Sequence, residues 1–374
     1  MINTPFIPVN EPHLGELEKK YLIECIDTGW ISSEGPFVKR FENELAKYTH
    51  RKHAIAVSSG TAAIDVAIEA LGISKGDEVI LPSFTIISCI NQIIRIGAKP
   101  VLVDSDPITW NMDTNQVENK ITSNTKAIMV VHIYGLPVDL DPVFNLAKKY
   151  NLKVIEDAAE MLGQTYNEKP CGSFGDISIL SFYPNKHTTT GEGGMLLTND
   201  FKLAEKCQSL RNLGFQPKKR FVHEMLGWNY RMTNMQAAIG VAQISKLDKF
   251  LERKKRMGAL YTEKLKGLSG LQLPLTKTNY ANNIYWVFGL VLGEEVDFDA
   301  KEAIFRMEND GVGCRPFFYP MHQQPVLKSM GLFKGESYPV SEKLYQRGFY
   351  IPSGIALSDD QIYRVVETLI KILK

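Results

Sequence analysis

From Ala54 to about Leu197, short apolar runs alternate with amphipathic stretches, and no other feature limits the fold of this chain so tightly. The runs are Ala54 to Val57, Glu78 to Leu81, Pro100 to Val103, Ala127 to His132, Lys153 to Glu156, Ile177 to Phe182 and Met195 to Thr198. Each is too short for a helix that buries a face, and each carries strand-capable residues. Strands covered on both sides read as continuous apolar runs, and parallel neighbours need a crossover long enough to hold a helix. The alternation therefore predicts an α/β fold, a mixed, mostly parallel seven-stranded sheet with helices on both faces.

Flanking segments follow a helical period. Helices are expected over about Leu14 to Thr28, after Pro36 with Phe37, Phe41 and Leu45 on one side, and from about Ser245 to Leu268. A strand over Tyr285 to Leu292, a helix over Ala300 to Asn309 and a strand over Gly313 to Arg315 come next. Ser358 and Gln361 form a capping box that opens a closing helix to about Leu373. At 374 residues this predicts two domains: 1–245, a large α/β domain, and 246–374, a smaller C-terminal α+β domain.

The charge balance of 43 basic and 42 acidic side chains, with no basic block, argues against nucleic acid as a partner. No window nears 18 uninterrupted apolar residues, so no membrane span is expected, and Met1 to Pro5 lacks the basic and apolar regions of a signal peptide. A cytoplasmic protein is the expectation. Cys25, Cys89, Cys171, Cys207 and Cys314 are odd in number and scattered, which predicts reduced thiols and no metal site. Gly191 to Gly194 does not make a dinucleotide fingerprint.

Three pieces carry chemistry. Lys186 follows the apolar run Ile177 to Phe182 and precedes a Thr/Gly turn, which puts it at the rim of a sheet. An amine among apolar groups gives up part of its preference for charge, and the neutral amine is the form that attacks an aldehyde. Asp157 closes the run Lys153 to Glu156, at the strand end where α/β sheets bind ligands. It reads either as a helix N-cap or as the acid that keeps a pyridine nitrogen protonated, which pyridoxal phosphate requires. Ser58-Ser59-Gly60-Thr61 lies between a strand and a helix; small residues there make an anion seat, although a plain capped helix accounts for the same hydroxyls.

Phosphate seat, acid and lysine occur in that order, together with Thr28-Gly29-Trp30-Ile31-Ser32-Ser33, Val131-His132-Ile133-Tyr134-Gly135, Glu156-Asp157-Ala158-Ala159-Glu160, Gly191-Glu192-Gly193-Gly194-Met195, Asn229-Tyr230-Arg231-Met232-Thr233-Asn234 and Arg315-Pro316-Phe317-Phe318-Tyr319-Pro320-Met321-His322. Over nearly its whole length the chain resembles the fold-type I, pyridoxal-phosphate-dependent sugar aminotransferases that make amino sugars on nucleotide carriers. Within that family the resemblance is closest to enzymes that aminate C4 of GDP-4-keto-6-deoxymannose.

The resemblance implies roles. Lys186 binds pyridoxal 5′-phosphate and then serves as the proton-transfer base; Asp157 pairs with the pyridine N–H; Glu160 sits near the phenolic oxygen. Gly60, Thr61 and Ser181 take the phosphate, and Asn229 reaches the phosphate of the other subunit, so the active sites are shared in a homodimer. Trp30, Ser33, Arg231, Arg315, Tyr319 and His322 face the sugar nucleotide, with glutamate as amino donor; without the family, His322 reads equally well as a packed group. Ile86 stands where many relatives carry an aromatic residue over the cofactor ring, which leaves Ile86 or Phe84 to cover it. Alternatives are an aminotransferase on a dTDP- or UDP-linked sugar, a dehydratase of the same fold, against which Lys186 counts, and a non-catalytic cofactor-binding regulator.

Overall fold

All seven apolar runs are strands of one sheet. A computed structural model describes residues 5–216 and 219–374, so Met1 to Thr4 of the N-terminal reading lie outside the described residues. The strands are β1 (His53–Val57), β2 (Glu78–Pro82), β3 (Lys99–Val103), β4 (Thr125–Val131), β5 (Lys153–Asp157), β6 (Ile177–Ser181) and β7 (Gly194–Thr198). Their spatial order is β1-β7-β6-β5-β4-β2-β3. Strand β7 runs antiparallel to both neighbours and the remaining pairs are parallel.

Side chains alternate across the strands, so each face builds its own core. Ile55 and Val57 pack with the helices Gly60–Ala70, Ser88–Arg95 and Phe201–Arg211. Ala54 and Ala56 point the other way, toward Pro36–Tyr48, Leu140–Tyr150 and Asn234–Ile244. This two-sided cover is why the strands read as unbroken apolar runs.

Register brings distant residues to one edge. Gly194, the first residue of β7, faces Val57 on one side and Ser181 on the other, so the segments that leave β1 and β6 start side by side. A Cβ on Gly194 would lie 2.3 Å from the Ser59 carbonyl oxygen and 2.8 Å from the Gly60 nitrogen, and only glycine admits that approach. Val131 lies opposite Asp157, and Asp157 opposite Ile179, so β4, β5 and β6 end together.

The C-terminal part forms an antiparallel sheet in the order Leu271–Gln272, Phe288–Leu292, Gly348–Ile351, Arg315–Pro316. It packs with the helices Leu247–Leu265, Ala300–Asn309 and Asp359–Leu373, and the Ser358–Gln361 capping box is present. Two strands start later than the sequence suggests. Tyr285 has φ 52°, a left-handed conformation that breaks the extended run, so the strand begins at Phe288. The Gly313 to Arg315 reading becomes Arg315–Pro316 because Gly313 is held instead by Ile7, whose carbonyl accepts its N–H at 2.8 Å. Ile7 also bridges Val312, Val9 accepts from the Ser353 N–H, and Asn10 donates to the Pro184 carbonyl at 3.2 Å.

Gly135, at φ 107°, sits at a close backbone junction between the two parts. A Cβ there would lie 2.6 Å from the Tyr285 nitrogen and 2.7 Å from the Trp286 nitrogen. Both neighbours are backbone and cannot turn aside. Gly135→Ala is expected to destabilise the protein by about 2–4 kcal/mol, read as a lower urea midpoint, whereas an unchanged midpoint would mean that this junction is loose.

Candidate active site

The converging strand ends enclose a cavity of about 330 Å³. Gly60, Thr61, Ile86, Asp157, Glu160, Ser181 and Lys186 all line it. At one end Ser59 caps the helix Gly60–Ala70, its hydroxyl accepting the Ala62 N–H at 3.1 Å. A Cβ on Gly60 would stand 3.0 Å from that of Ser181, so the glycine keeps the space between helix start and serine open. Thr61 and Ser88 hydroxyls lie 2.9 Å apart and tie this seat to the next loop.

At the floor, Asp157 is 3% exposed. Its Oδ1 accepts the Ala159 N–H at 3.0 Å, and its Oδ2 accepts the Cys89 thiol at 3.3 Å. Because that thiol proton points at Asp157, the Thr85 hydroxyl, 3.3 Å from Cys89 Sγ, is the donor in the second contact. Burial pushes the Asp157 carboxyl up, against the pull of the Ala159 N–H, the thiol, Lys186 and His132.

Lys186 Nζ lies 3.6 Å from Glu160 Oε1 and 3.8 Å from the centre of the Trp286 ring. Glu160 is oriented by the Tyr134 N–H, which donates to Oε2 at 2.8 Å. Burial lowers the proton affinity of the Lys186 amine and raises that of Glu160, each outweighing their mutual attraction.

Ile86 is 46% exposed and lines the cavity, whereas Phe84 is fully buried among Tyr134, Phe317 and Phe318. Ile86 is therefore the apolar side chain that reaches the site.

The other expected residues lie elsewhere in this chain. Trp30, Ser33 and Arg231 line a second cavity of about 810 Å³, where Arg231 donates to Asn212 at 2.6 Å. Asn229 is exposed and its backbone bridges Asn212. Arg315 is exposed on its short strand opposite Tyr350, and Tyr319 packs edge-on against Tyr345. His322 is buried, Nδ1 2.8 Å from the Ser83 hydroxyl and Nε2 2.9 Å from Glu342, which is the packed alternative of its sequence reading. Trp286, Cys89 and Tyr134 were not singled out as site residues. Tyr134 lay in the quoted Val131 to Gly135 motif without a role assigned, and the signal for Trp286 was the aromatic Tyr285-Trp286 pair, with Tyr285 read as the start of a strand.

His132, Glu156 and Cys171 also come together, yet this group serves the fold. His132 Nδ1 accepts the Val138 N–H, its Nε2 faces Glu156, and Glu156 accepts the Gly172 and Phe174 N–H groups.

The sequence pattern of the DegT/DnrJ/EryC1/StrS aminotransferase family matches residues 12–370, and the chain belongs to that family. Among its relatives are GDP-perosamine synthases of Caulobacter vibrioides, 42% identical over all of both chains, and of Escherichia coli O157:H7, 40% identical over 97% of this chain and 98% of that one. Spr1654 from Streptococcus pneumoniae, solved in a PLP form, superposes with a TM-score of 0.91 at 25% identity over 98% of each chain.

The cavity fits pyridoxal phosphate on its own geometry. A buried carboxylate with no ion-pair partner within 4 Å among the described residues suits a pyridinium N–H, and a glycine-opened helix start suits a phosphate. The Lys186 amine lies beside a second carboxylate within the same cavity.

Proposed function

We propose that this chain is a pyridoxal-phosphate-dependent sugar aminotransferase that moves an amino group from glutamate to C4 of GDP-4-keto-6-deoxymannose, giving GDP-perosamine for polysaccharide or O-antigen synthesis. The observation that carries the chemistry is the cavity itself, with Lys186 Nζ 3.6 Å from Glu160 and Asp157 buried beneath them. The full-length likeness to GDP-perosamine synthases supports the choice of sugar.

When bound, pyridoxal phosphate supplies an electron sink for negative charge on the carbon that gains or loses nitrogen. Gly60, Thr61 and Ser181 would seat its phosphate, and Asp157 would keep the ring nitrogen protonated. Lys186 would hold the cofactor through its amine, and the free amine would carry the proton to or from the reacting carbon. Burial lowers its proton affinity, which favours the neutral amine that acts as base. Glu160, aimed by the Tyr134 N–H, lies 3.6 Å from that amine and favours its charged form. Ile86, exposed at the cavity, would supply the apolar contact to the cofactor ring.

The enzyme acts in the cytoplasm as a homodimer whose two parts divide near residue 245. Asn229, exposed in this chain, completes the phosphate seat of the partner subunit. Trp30, Ser33, Arg231, Arg315 and Tyr319 are surface groups able to meet the nucleotide carried by the opposite site.

The test is kcat/KM for GDP-, dTDP- and UDP-linked 4-keto-6-deoxy sugars, with glutamate as donor and products identified by mass spectrometry. The GDP sugar is expected to lead by at least tenfold, because each unpaired polar group in a base-specific pocket costs about 1–3 kcal/mol. A tenfold preference for a dTDP or UDP sugar overturns the substrate while leaving the aminotransferase standing.

A further inference from the structure

Trp286 is fixed from three sides. Its indole Nε1–H donates to the Asn185 carbonyl at 2.8 Å, its own carbonyl accepts from Lys254 Nζ at 2.7 Å, and its ring packs 5.9 Å from that of Tyr134. Lys254 is 1% exposed and donates to two backbone carbonyls, those of Trp286 and Ser353. No ion pair of Lys254 with a carboxylate occurs among the described residues, and burial pushes its amine down to about 7. A lysine held this way costs stability that an apolar side chain would not, and what it grips is the backbone of Trp286. The ring so held lies 3.8 Å from Lys186 Nζ, nearly as close as the 3.6 Å contact of that amine with Glu160.

We propose that Trp286 is a catalytic residue, its indole face receiving the Lys186 amine whenever that amine is not bonded to cofactor, and that Lys254 is the positioning residue that fixes Trp286. This rests on the reading of Lys186 as the cofactor-binding lysine. In amino transfer that amine must leave the cofactor and later return to it, so it needs a defined place in between. A carboxylate alone would take its proton or lock it in a full ion pair. An aromatic face favours the ammonium without accepting a proton, and it sets the direction from which the amine returns.

Other charged groups bear on the same amine. Glu160 and Asp157 favour its charged form, as does Cys89 through its thiol. His187, on which both Lys186 and Lys254 act electrostatically, follows it in the chain, and Glu192 and Tyr183 line the cavity. The Trp286 contribution is therefore separable only by changing Trp286 itself.

The experiment uses the full chain freed of cofactor. The pH profile of Lys186 acetylation by acetic anhydride, read by peptide mass spectrometry, gives the midpoint of its titration. Trp286→Leu is expected to lower that midpoint by about one pH unit, a tenfold change in proton affinity, with a smaller fall in Lys254→Met. In the unmodified protein the Trp286 indole ¹⁵N–¹H resonance should titrate with the same midpoint as Lys186 and lose that step in Lys186→Met, a measurement that does not depend on Trp286→Leu folding. An unmoved midpoint in folded Trp286→Leu, or an indole signal blind to Lys186, overturns the proposal. An unmoved midpoint in Lys254→Met overturns its positioning part. Uptake of pyridoxal phosphate by the unmodified protein is followed separately by absorbance; its failure sinks the cofactor reading and leaves the Lys186–Trp286 titration to be judged alone.

Discussion

Lys186→Ala is expected to abolish amino transfer while leaving a folded protein. The substitution removes the amine that anchors the cofactor and the base that moves the proton. Loss of a positioned base alone costs on the order of 10²–10⁴ in rate, and loss of the anchor adds to it. The fold should tolerate the change, because Lys186 leaves behind a cavity already open to ligand rather than a void in the core. Glu160 then loses its only cation within 4 Å among the described residues and is driven further toward its neutral form, which spares the variant a buried unpaired charge. Turnover within tenfold of the parent, with thermal unfolding unchanged, would remove Lys186 from the mechanism.

Asp157→Asn is the second large effect. A neutral amide cannot hold a ring nitrogen protonated by charge, and a charged hydrogen bond of this kind is worth about 1.5–3 kcal/mol, roughly ten- to a hundredfold in rate. Both half-reactions should slow together, since glutamate and keto sugar use the same electron sink. Single-turnover rates for each substrate check this, and a loss confined to one half would make Asp157 a substrate contact instead. Stability should move the other way. Burial raises the proton affinity of Asp157 in the folded state, so the ionised carboxylate opposes folding at any pH above its unfolded value. The amide still accepts the Ala159 N–H, and the cofactor-free variant should melt no lower than the parent.

Why the strands were legible in the sequence, and part of the site was not, follows from what each depends on. Strands covered on both faces leave an apolar run that survives in one dimension, and Lys186, Asp157 and Gly60 each sit just beyond such a run. Strand order and direction leave no local trace. That β7 runs against its neighbours, and that Gly194 thereby brings Ser59 beside Ser181, depends on register across the sheet. Cys89 touches Asp157 from 68 positions away, and Trp286 reaches Lys186 only because Gly135 lets two backbones meet. An aromatic residue ahead of an apolar run looks like core in any sequence. Trp286 is both core and cavity wall, a double role that only its three-dimensional neighbours reveal.

The pairing of Ile7 with residues 311–313 has a consequence in time. These residues emerge during synthesis well before their partners, which follow roughly 300 positions later. At about 5–20 residues per second the segment waits on the order of 15–60 s with its strand edge unmatched. The sheet β1–β7 can assemble in that interval, but the hydrogen bond from Asn10 to Pro184 draws the waiting segment against the loop that carries Lys186. A chain stalled before Val312 would hold every residue of the phosphate seat and the acid floor, yet lack both the partners of Ile7 and the strand Gly348–Ile351 that pairs with Phe288–Leu292 just after Trp286.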